Sequence, residues 1–240
     1  SALALMMVLG SGVVLANDAT IVQSGDRMTA TIDQTSDNTG EMIATIKQRD
    51  GINNTATITQ SGDERGSDGN AGTVKQIGSR NVANLTQRNF ATSRHTSDIK
   101  QEGNGNSAEV LSQGGVGSNS VDLLQKGDGN DATIEQMWGS NEAVVTQRGD
   151  GNEANVGHRG AFDSDAFIKQ VGNSNEAIIA GIGQSAVSKE MNIADVDQIG
   201  DRNFARIDQL SSNNDAVVRQ NGNANIANIT QSAIATPNSN

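Results

Sequence analysis

The residues best suited to metal binding are the two histidines, His95 and His158. A metal site needs several converging ligands, and the chain has no cysteine. His158 stands where neighbouring repeats carry Gln, so we expect it to be a neutral substitute in a buried polar column. Protonating a buried imidazole would disfavour that packing, which would make His158 a pH-sensitive weak point. We expect His95 in a long loop and predict no metal site.

Two short motifs could bind partners through exposed turns. Arg148-Gly149-Asp150 spells a tripeptide that some animal cell receptors recognise, although turn charges also act as gatekeepers against edge pairing. The stretch from Gly127 to Asp131 is similar to calcium-binding nonapeptide repeats, but those have a period of nine residues and paired glycines. The period here is about eleven, so we predict neither receptor binding nor a dedicated calcium site.

No catalytic motif is present in the sequence. It contains no HExxH, no P-loop, no GxSxG nucleophile elbow and no carboxylate pair at a fixed spacing. The sequence therefore predicts a protein that is not an enzyme and that needs no cofactor.

What the sequence does contain is a repeat of eighteen units, mostly 11 or 12 residues apart. Each unit is anchored on Gln, except that His158 and Gly181 take two of the anchor positions. The Gln anchors are Gln23, Gln34, Gln48, Gln60, Gln76, Gln87, Gln101, Gln113, Gln125, Gln136, Gln147, Gln170, Gln198, Gln209, Gln220 and Gln231. A fixed period of this kind is typical of a solenoid or a stacked array.

The position two residues before each anchor is always aliphatic. These residues are Ile21, Ile32, Ile46, Ile58, Val74, Leu85, Ile99, Leu111, Leu123, Ile134, Val145, Val156, Ile168, Ile179, Val196, Ile207, Val218 and Ile229. Ala stands four before the anchor in 14 of the 18 units. We expect all of these side chains to point inward.

Asn stands six residues before the anchor in most units, and Gly most often follows two residues after it. The asparagines assigned to an inward column are Asn54, Asn70, Asn81, Asn119, Asn130, Asn141, Asn152, Asn175, Asn192, Asn203, Asn214 and Asn225. The consensus Asn-x-Ala-x-Ile-x-Gln-x-Gly has a period of two, which indicates a strand with one buried face. Gly with its Asn, Asp and Ser neighbours supplies the turn.

The spacing between units indicates how many strands make one coil. Four links are clearly long, between residues 34 and 48, 60 and 76, 87 and 101, and 181 and 198, and each follows an even-numbered unit. A coil of two strands explains this, because loops are then confined to one edge. The sequence therefore predicts an all-β fold, a parallel cross-β solenoid of about nine strand-turn-strand coils.

Stacking of the coils is obligatory on energetic grounds. A coil of about 22 residues loses on the order of 1–2 kcal/mol per residue in backbone entropy, and burying its two aliphatic anchors returns only about 1.5–3 kcal/mol each. Buried Gln and Asn are costly when unpaired, but amides stacked on copies of themselves form ladders. The first and last units are as regular as the others, so we expect uncapped ends that add further copies head to tail.

Composition agrees with an exported, thin-cored protein. The chain has 240 residues, 2% aromatics and a formal charge of 17 − 28 = −11, which disfavours nucleic acid as a partner. Disorder is the alternative for so polar a chain, but the strict spacing of apolar residues argues against it.

Residues 1–16 are apolar and are expected to be a truncated secretory signal peptide. Residues 17–231 are the repeat region, and residues 232–240 are a C-terminal tail.

The repeat phrase resembles that of the curlin family, as in Asn130–Gln136 and Asn225–Gln231. The resemblance covers nearly all of residues 17–231. It implies a subunit of curli, the functional amyloid of bacterial biofilm matrix, secreted through the periplasm to a cell-surface fibre that serves adhesion. By the same resemblance, its partners would be further copies of itself, a nucleator curlin, an outer-membrane secretion pore and accessory chaperones.

Three other functions are alternatives to that of a fibre-building subunit. A minor, nucleating curlin has similar Asn-rich units, although the length and uniformity of this chain favour the major subunit. A monomeric β-solenoid adhesin would need its ends blocked by another protein. An ice-binding solenoid would need a regular Thr array on one outer face, and only Thr57 and Thr59 form such a pair.

Overall fold

The computed structural model describes residues 7–9, 17–36, 41–62, 69–90, 94–114, 117–159, 163–182, 191–211 and 213–232. Every regular element in these ranges is a β-strand. The strands are β1 (Met7–Leu9), β2 (Asp18–Asp26), β3 (Thr29–Ser36), β4 (Ile43–Ile52), β5 (Thr55–Gly62), β6 (Ala71–Ile77), β7 (Val82–Asn89), β8 (Thr96–Glu102), β9 (Ser107–Gly114), β10 (Ser120–Lys126), β11 (Asp131–Met137), β12 (Glu142–Arg148), β13 (Glu153–Arg159), β14 (Asp165–Val171), β15 (Glu176–Ile182), β16 (Ile193–Ile199), β17 (Phe204–Gln209), β18 (Asp215–Asn221) and β19 (Ile226–Gln231).

The strands form two parallel sheets that face each other. The odd sheet contains β1, β3 and every second strand to β19, and the even sheet contains β2, β4 and every second strand to β18. The chain thus alternates between the sheets, and β2 to β19 make nine consecutive even–odd pairs. The prediction of an all-β solenoid with two strands per coil is confirmed.

Neighbouring strands pair in register, so that each repeat position lies on its own copy. In the even sheet, for example, Ala143 pairs with Ala166 and Gln147 with Gln170. Strands in a sheet are about 4.8 Å apart, so like side chains meet in columns along the stack. Register is fixed because a slip of one residue would move the apolar set to solvent.

The core is a thin layer of small and β-branched side chains between the sheets. Along most strands, buried and exposed residues alternate, which places the Ala and Ile/Val/Leu columns inside. Ala143 and Val145 are fully buried, and no aromatic residue is among the buried residues of the described chain. Trp138 is 47% exposed. The interface between the sheets is thus filled by small and aliphatic side chains, and no Phe or Trp is buried in the described residues.

The two edges of the solenoid differ. At one edge, here called the tight edge, each even strand turns directly into the following odd strand, as in Gly127-Asp128-Gly129-Asn130 between β10 and β11. At the other, the loop edge, each odd strand leads to the next even strand. The internal gaps in the described ranges, 10–16, 37–40, 63–68, 91–93, 115–116, 160–162, 183–190 and residue 212, all fall in the sequence between an odd strand and the next even strand. The four long links of the sequence all run from an odd strand to an even strand, so they lie on one edge as predicted.

Part of the predicted signal peptide pairs with the repeat region. β1 is parallel to β3, with Met7 opposite Ile32 and Leu9 opposite Gln34. It therefore occupies the outer edge of the odd sheet beside the first coil. Residues 1–6 and 10–16, and residues 233–240 of the predicted tail, lie outside the described residues.

Candidate self-assembly site

The glutamines of the even sheet form an unbroken hydrogen-bonded ladder. The side-chain Nε2 of each donates to the Oε1 of the next over 2.7 to 3.0 Å. The members are Gln23, Gln48, Gln76, Gln101, Gln125, Gln147, Gln170, Gln198 and Gln220. The interior seven are fully buried, so the ladder satisfies amides that would otherwise be costly to desolvate.

The second hydrogen of each amide ties the two sheets together. Gln101 Nε2 also donates to the backbone carbonyl of Val82 at 2.9 Å, and Gln125 Nε2 donates to that of Ser107 at 2.7 Å. The acceptors lie at the first residue of the odd strands, just past the tight edge. The same contact recurs from Gln48 to Gln220. Each interior glutamine therefore links its own strand to three others, two in the same sheet and one in the opposite sheet.

Asparagines form a second ladder where the odd strands begin. From Asn81 onward, the backbone N–H of each Asn donates to the side-chain Oδ1 of the one before it over 2.9 to 3.1 Å. Its Nδ2 donates to a glycine carbonyl of the next turn, as from Asn130 to Gly149 at 2.8 Å. The members are Asn54, Asn81, Asn106, Asn130, Asn152, Asn175, Asn203 and Asn225.

A third ladder runs along the exposed turns of the tight edge and was missed in the sequence analysis. The backbone N–H of each turn residue donates to the Oδ1 of the Asn or Asp in the next coil over 2.7 to 3.1 Å. The acceptors are Asn104, Asp128, Asp150, Asn173, Asp201 and Asn223. The signal in the sequence is the phrase Gly-Asx-x-Asn. Asn and Asp stabilise turns through such side-chain to backbone bonds.

This ladder accounts for both short motifs singled out in the sequence. Asp128 belongs to the phrase that is similar to calcium-binding repeats, and Asp150 belongs to the Arg-Gly-Asp tripeptide. The Oδ1 of Asp150 accepts the N–H of Asp128 at 2.8 Å, and the N–H of Asp150 donates to Asn173 at 2.9 Å. Both aspartates thus have a structural role in the turn.

The glycine that opens each tight turn is required by its conformation and its neighbours. Gly149 has a φ of 114°, and a Cβ at this position would lie 2.1 Å from the carbonyl oxygen of Gly172 in the next coil. The same relationship joins Gly127 to Gly149, at 2.2 Å. Any side chain here would push successive coils apart, so this column sets the close approach of the backbones.

At the loop edge the corresponding columns are broken. Gln34, Gln60 and Gln87 form a short ladder in the odd sheet, with bonds of 2.9 and 2.7 Å. The next position is Ser112, which is opposite Gln87 and Gln136 in the register. The ladder resumes only between Gln209 and Gln231, at 3.1 Å.

The predictions that Leu111 and Gln113 point inward are wrong. In β9 the buried positions are Ala108, Val110 and Ser112, while Leu111 and Gln113 lie on the outer face and are partly buried. Anchoring the unit on Gln moved it by one residue, which reverses every side chain of a strand. The correct phrase is Asn106-x-Ala108-x-Val110-x-Ser112, with Ser in the Gln position.

His158 fills the same odd-sheet column, between Gln136 on one side and a register shift near Ile182 on the other. It is completely buried, and this burial lowers the pKa of its imidazole to about 3. Neither ring nitrogen has a hydrogen-bond partner within the described residues. The neutral ring fits the column, whereas the protonated ring would place an uncompensated charge in the core.

His95 lies in the link before β8, as expected, but its side chain is not exposed. It is fully buried at the Asn position before β8, and its Nδ1 accepts the backbone N–H of Asn119 at 3.2 Å. Burial lowers its pKa, while hydrogen bonds with the backbone of Gly114 and Arg88 act in the opposite direction. His95 thus replaces asparagine as an acceptor in the loop-edge column.

The remaining inward predictions can be placed as follows. The aliphatic residues other than Leu111 lie between the sheets and are buried, except for Ile21 and Ile229 in the end coils, which are partly buried. Asn70, Asn119, Asn141 and Asn192 are buried in the loop-edge column, whereas Asn214 and Asn225 are partly exposed in the last coil. Asn106 was not assigned, because the misplaced anchor at Gln113 put Ser107 in its position.

The core columns are partly exposed at both ends of the stack. At the C-terminal end, Ala227 and Ile229 of β19 are only partly buried, and Ile226 is 76% exposed. At the N-terminal end, Ala19, Ile21 and Gln23 of β2 are likewise only partly buried. Both ends therefore present the same Ala, Ile and Gln columns to solvent.

The described residues offer no metal site and no membrane span. No group of three or more His, Cys, Asp or Glu side chains in these ranges is arranged to bind a metal. A long apolar helix that could cross a bilayer is likewise not found among them.

The last two coils match the model of a known protein family. Residues 192–222 and 200–232 match the family model of the curlin associated repeat. These matches contain β16 to β19, on which the preceding coils stack in register. Among curated proteins, no relative matches the chain.

Proposed function

We propose that this chain, whose last two coils match the curlin associated repeat, is the structural subunit of an extracellular curli-type amyloid fibre that grows by head-to-tail stacking. The observation that carries the proposal is the chemical match between the two ends. Gln220 Nε2 donates to Phe204, and its other hydrogen would reach Gln23 Oε1 of a second copy. The Ala and Ile columns would continue across the same junction, buried on both sides.

The tight edge supports the same register. Asn203 Oδ1 accepts the N–H of Asn225 at 3.0 Å, and Asn225 Oδ1 would accept the N–H of Met28 in a second copy. Met28 stands in the Asn position of the first coil but has no side-chain amide. The junction would therefore lack the side-chain bond that Asn225 Nδ2 makes to Asn203 Oδ1 between the last internal coils.

Export and biological role complete the proposal. Residues 1–16 would be removed as a signal peptide, which would free the edge of β3 that β1 occupies. The subunit would then reach the surface through an outer-membrane pore with accessory chaperones and extend from a nucleator. The resulting fibre would serve adhesion and the biofilm matrix. Curlins are structural subunits, so the proposal includes no catalytic role.

The test removes the ladder groups that face a second copy. Gln220→Ala combined with Gln231→Ala should slow elongation of purified 17–240 protein several-fold, because a hydrogen bond lost at a dry interface costs about 1 kcal/mol. The matched control is Asn221→Ala with Thr230→Ala, which changes outward polar residues on the same two strands. Thioflavin fluorescence follows the growth. Equal rates for both variants and the parent protein would exclude the end-stacking mechanism.

The same purified protein can be used to test two alternative functions. A nucleating curlin would accelerate fibre growth of another subunit when added in trace amounts but would form few fibres alone. A monomeric adhesin would stay as single solenoids in electron micrographs at any concentration. The major role is favoured by the length and regularity of the stack. Abundant fibres from the purified chain alone would distinguish it from both.

A further inference from the structure

The outer faces of the two sheets carry opposite charges beside the tight edge. On the even sheet, Lys100, Lys126 and Arg148 surround Leu124 and the single carboxylate Glu102 in a shallow groove, here called the basic groove. Lys100 lies 2.6 Å and Lys126 lies 3.8 Å from Glu102. Lys100 and Lys126 thus share one carboxylate.

The odd sheet carries the opposite charge in a single column. Asp131 pairs in register with Glu153, and Glu153 with Glu176, so three carboxylates stack about 4.8 Å apart. This set is called the acidic column. Asp131 and Glu153 are exposed, and the structure shows no salt bridge to any of the three within its described part. Like charges directly opposite on neighbouring strands destabilise a sheet.

The two surfaces have matching dimensions. The basic groove spans β8, β10 and β12, and the acidic column spans β11, β13 and β15, so each covers three successive strands of its sheet. Both lie next to the tight edge, because even strands end there and odd strands begin there. A copy translated perpendicular to the sheets and by one coil along the stack would therefore set its acidic column against this groove.

We infer that parallel fibres of this protein associate side by side, with the basic groove of one copy docked on the acidic column of a copy in the neighbouring fibre. This inference rests on the proposed function, since it requires fibres. The stacked carboxylates then gain the counter-charges that they lack within one chain. Because the contact is a translation, it can repeat and build layered bundles.

Ionic strength and charge removal test the inference on assembled fibres of the 17–240 protein. In electron micrographs at low salt, the unmodified fibres should form bundles several fibres wide. In about 1 M salt the Debye length falls to about 3 Å, so the bundles should separate while thioflavin fluorescence stays unchanged. Lys100→Gln with Lys126→Gln and Arg148→Gln should give single fibres at low salt.

An independent variant and a control guard against folding defects. Asp131→Asn with Glu153→Gln and Glu176→Gln changes the opposite face and should also give single fibres. The control Lys169→Gln with Arg219→Gln removes cations from the same even face, but these lie near Asp197 and Asp195 outside the groove, and bundling should persist. Mixing fibres of the two triple variants should restore contacts only between unlike fibres and give pairs instead of wide bundles, because the intact basic groove of one variant can dock on the intact acidic column of the other.

The outcomes separate this inference from the proposed function. If the unmodified protein forms fibres that remain single, or if bundles survive both high salt and both triple variants, lateral docking is wrong while end stacking stands. If the protein forms no fibres at all, the proposed function fails first.

Discussion

The Nε2 of Gln198 lies 2.9 Å from the Oε1 of Gln220, the last glutamine of the even-sheet ladder. Every bond of this ladder has the same direction, with the donor on the N-terminal side. The C-terminal end therefore offers an N–H and the N-terminal end offers an oxygen. Two copies can continue the ladder only head to tail, which gives the proposed fibre one direction.

Removing one glutamine from the interior of this ladder should be costly. Gln125 accepts from Gln101 at 2.9 Å and donates to Gln147 at 3.0 Å and to Ser107 at 2.7 Å. With about 1 kcal/mol per hydrogen bond, Gln125→Ala should lower the free energy of unfolding by about 3 kcal/mol. Urea denaturation of freshly prepared monomer measures the change.

The control for this prediction is another Gln→Ala substitution in a strand, at Gln113. Gln113 lies on the outer face of β9, so Gln113→Ala should change the free energy of unfolding by less than about 0.5 kcal/mol. A large effect at Gln113 would contradict the register of β9 and return this residue to the inward column.

Two glycines of one turn should respond differently to Ala. Gly149→Ala places a Cβ against the carbonyl of Gly172, whereas Gly151, with a φ of 63°, has only Ser174 Oγ nearby, at 3.7 Å. A left-handed Ala costs about 1–2 kcal/mol, which is the whole effect expected for Gly151→Ala. Gly149→Ala adds the backbone clash and should lower the melting temperature much further. Equal shifts of the thermal midpoint would contradict the close approach at Gly149.

Acid should weaken the fold through His158. Its pKa in the folded chain is about 3, below the usual value of about 6.5 in the unfolded chain. The unfolded state therefore binds the proton more strongly, and stability falls as the pH drops below about 6.5. Between pH 7 and 5.5 the loss from this residue should be about 1 kcal/mol.

The comparison with His158→Gln isolates this effect from that of His95. The variant should lose about 1 kcal/mol less than the unmodified chain over the same pH range, as measured by urea denaturation at each pH. Parallel pH profiles for the two proteins would show that His158 does not titrate with unfolding.

The N-terminal segment should slow assembly while it remains attached. β1 pairs with the edge of β3, where β19 of a second copy would otherwise be added. We expect the 17–240 protein to elongate several-fold faster than the 1–240 protein in thioflavin assays. A chain whose first sixteen residues are replaced by a Gly/Ser segment of equal length should behave as the shorter protein. If that chain is as slow as the 1–240 protein, bulk rather than pairing is responsible.

The sequence predicts the fold well because the period of two and the parity of the long links leave few alternatives. It fails where one residue type serves two roles. Gln113 stands two residues after Leu111 and two before Gly115, as a true anchor does. Only the register with Gln87 and Gln136 shows that Ser112 is the inward residue. The burial of His95 was not predicted, because this residue follows a long link, although its distance from Gln101 matches the Asn position.

The turn ladder was missed for a different reason. Its acceptors, such as Asp128 and Asp150, are exposed polar residues of a kind that solvent alone can explain. Their role becomes visible only when successive turns lie directly on each other, which brings the Asp150 carboxylate to the N–H of Asp128. Contacts between units are therefore less evident from the repeat than contacts within one unit.

Because the links at the loop edge vary in length, this solenoid could carry peptides inserted there. The links of the loop edge, such as the one between β11 and β12, tolerate variation in length while the ladders of the tight edge keep the coils aligned. A peptide grafted into one such link would recur once per subunit along one flank. With nine coils of about 4.8 Å each, the grafted groups would follow one another about every 43 Å.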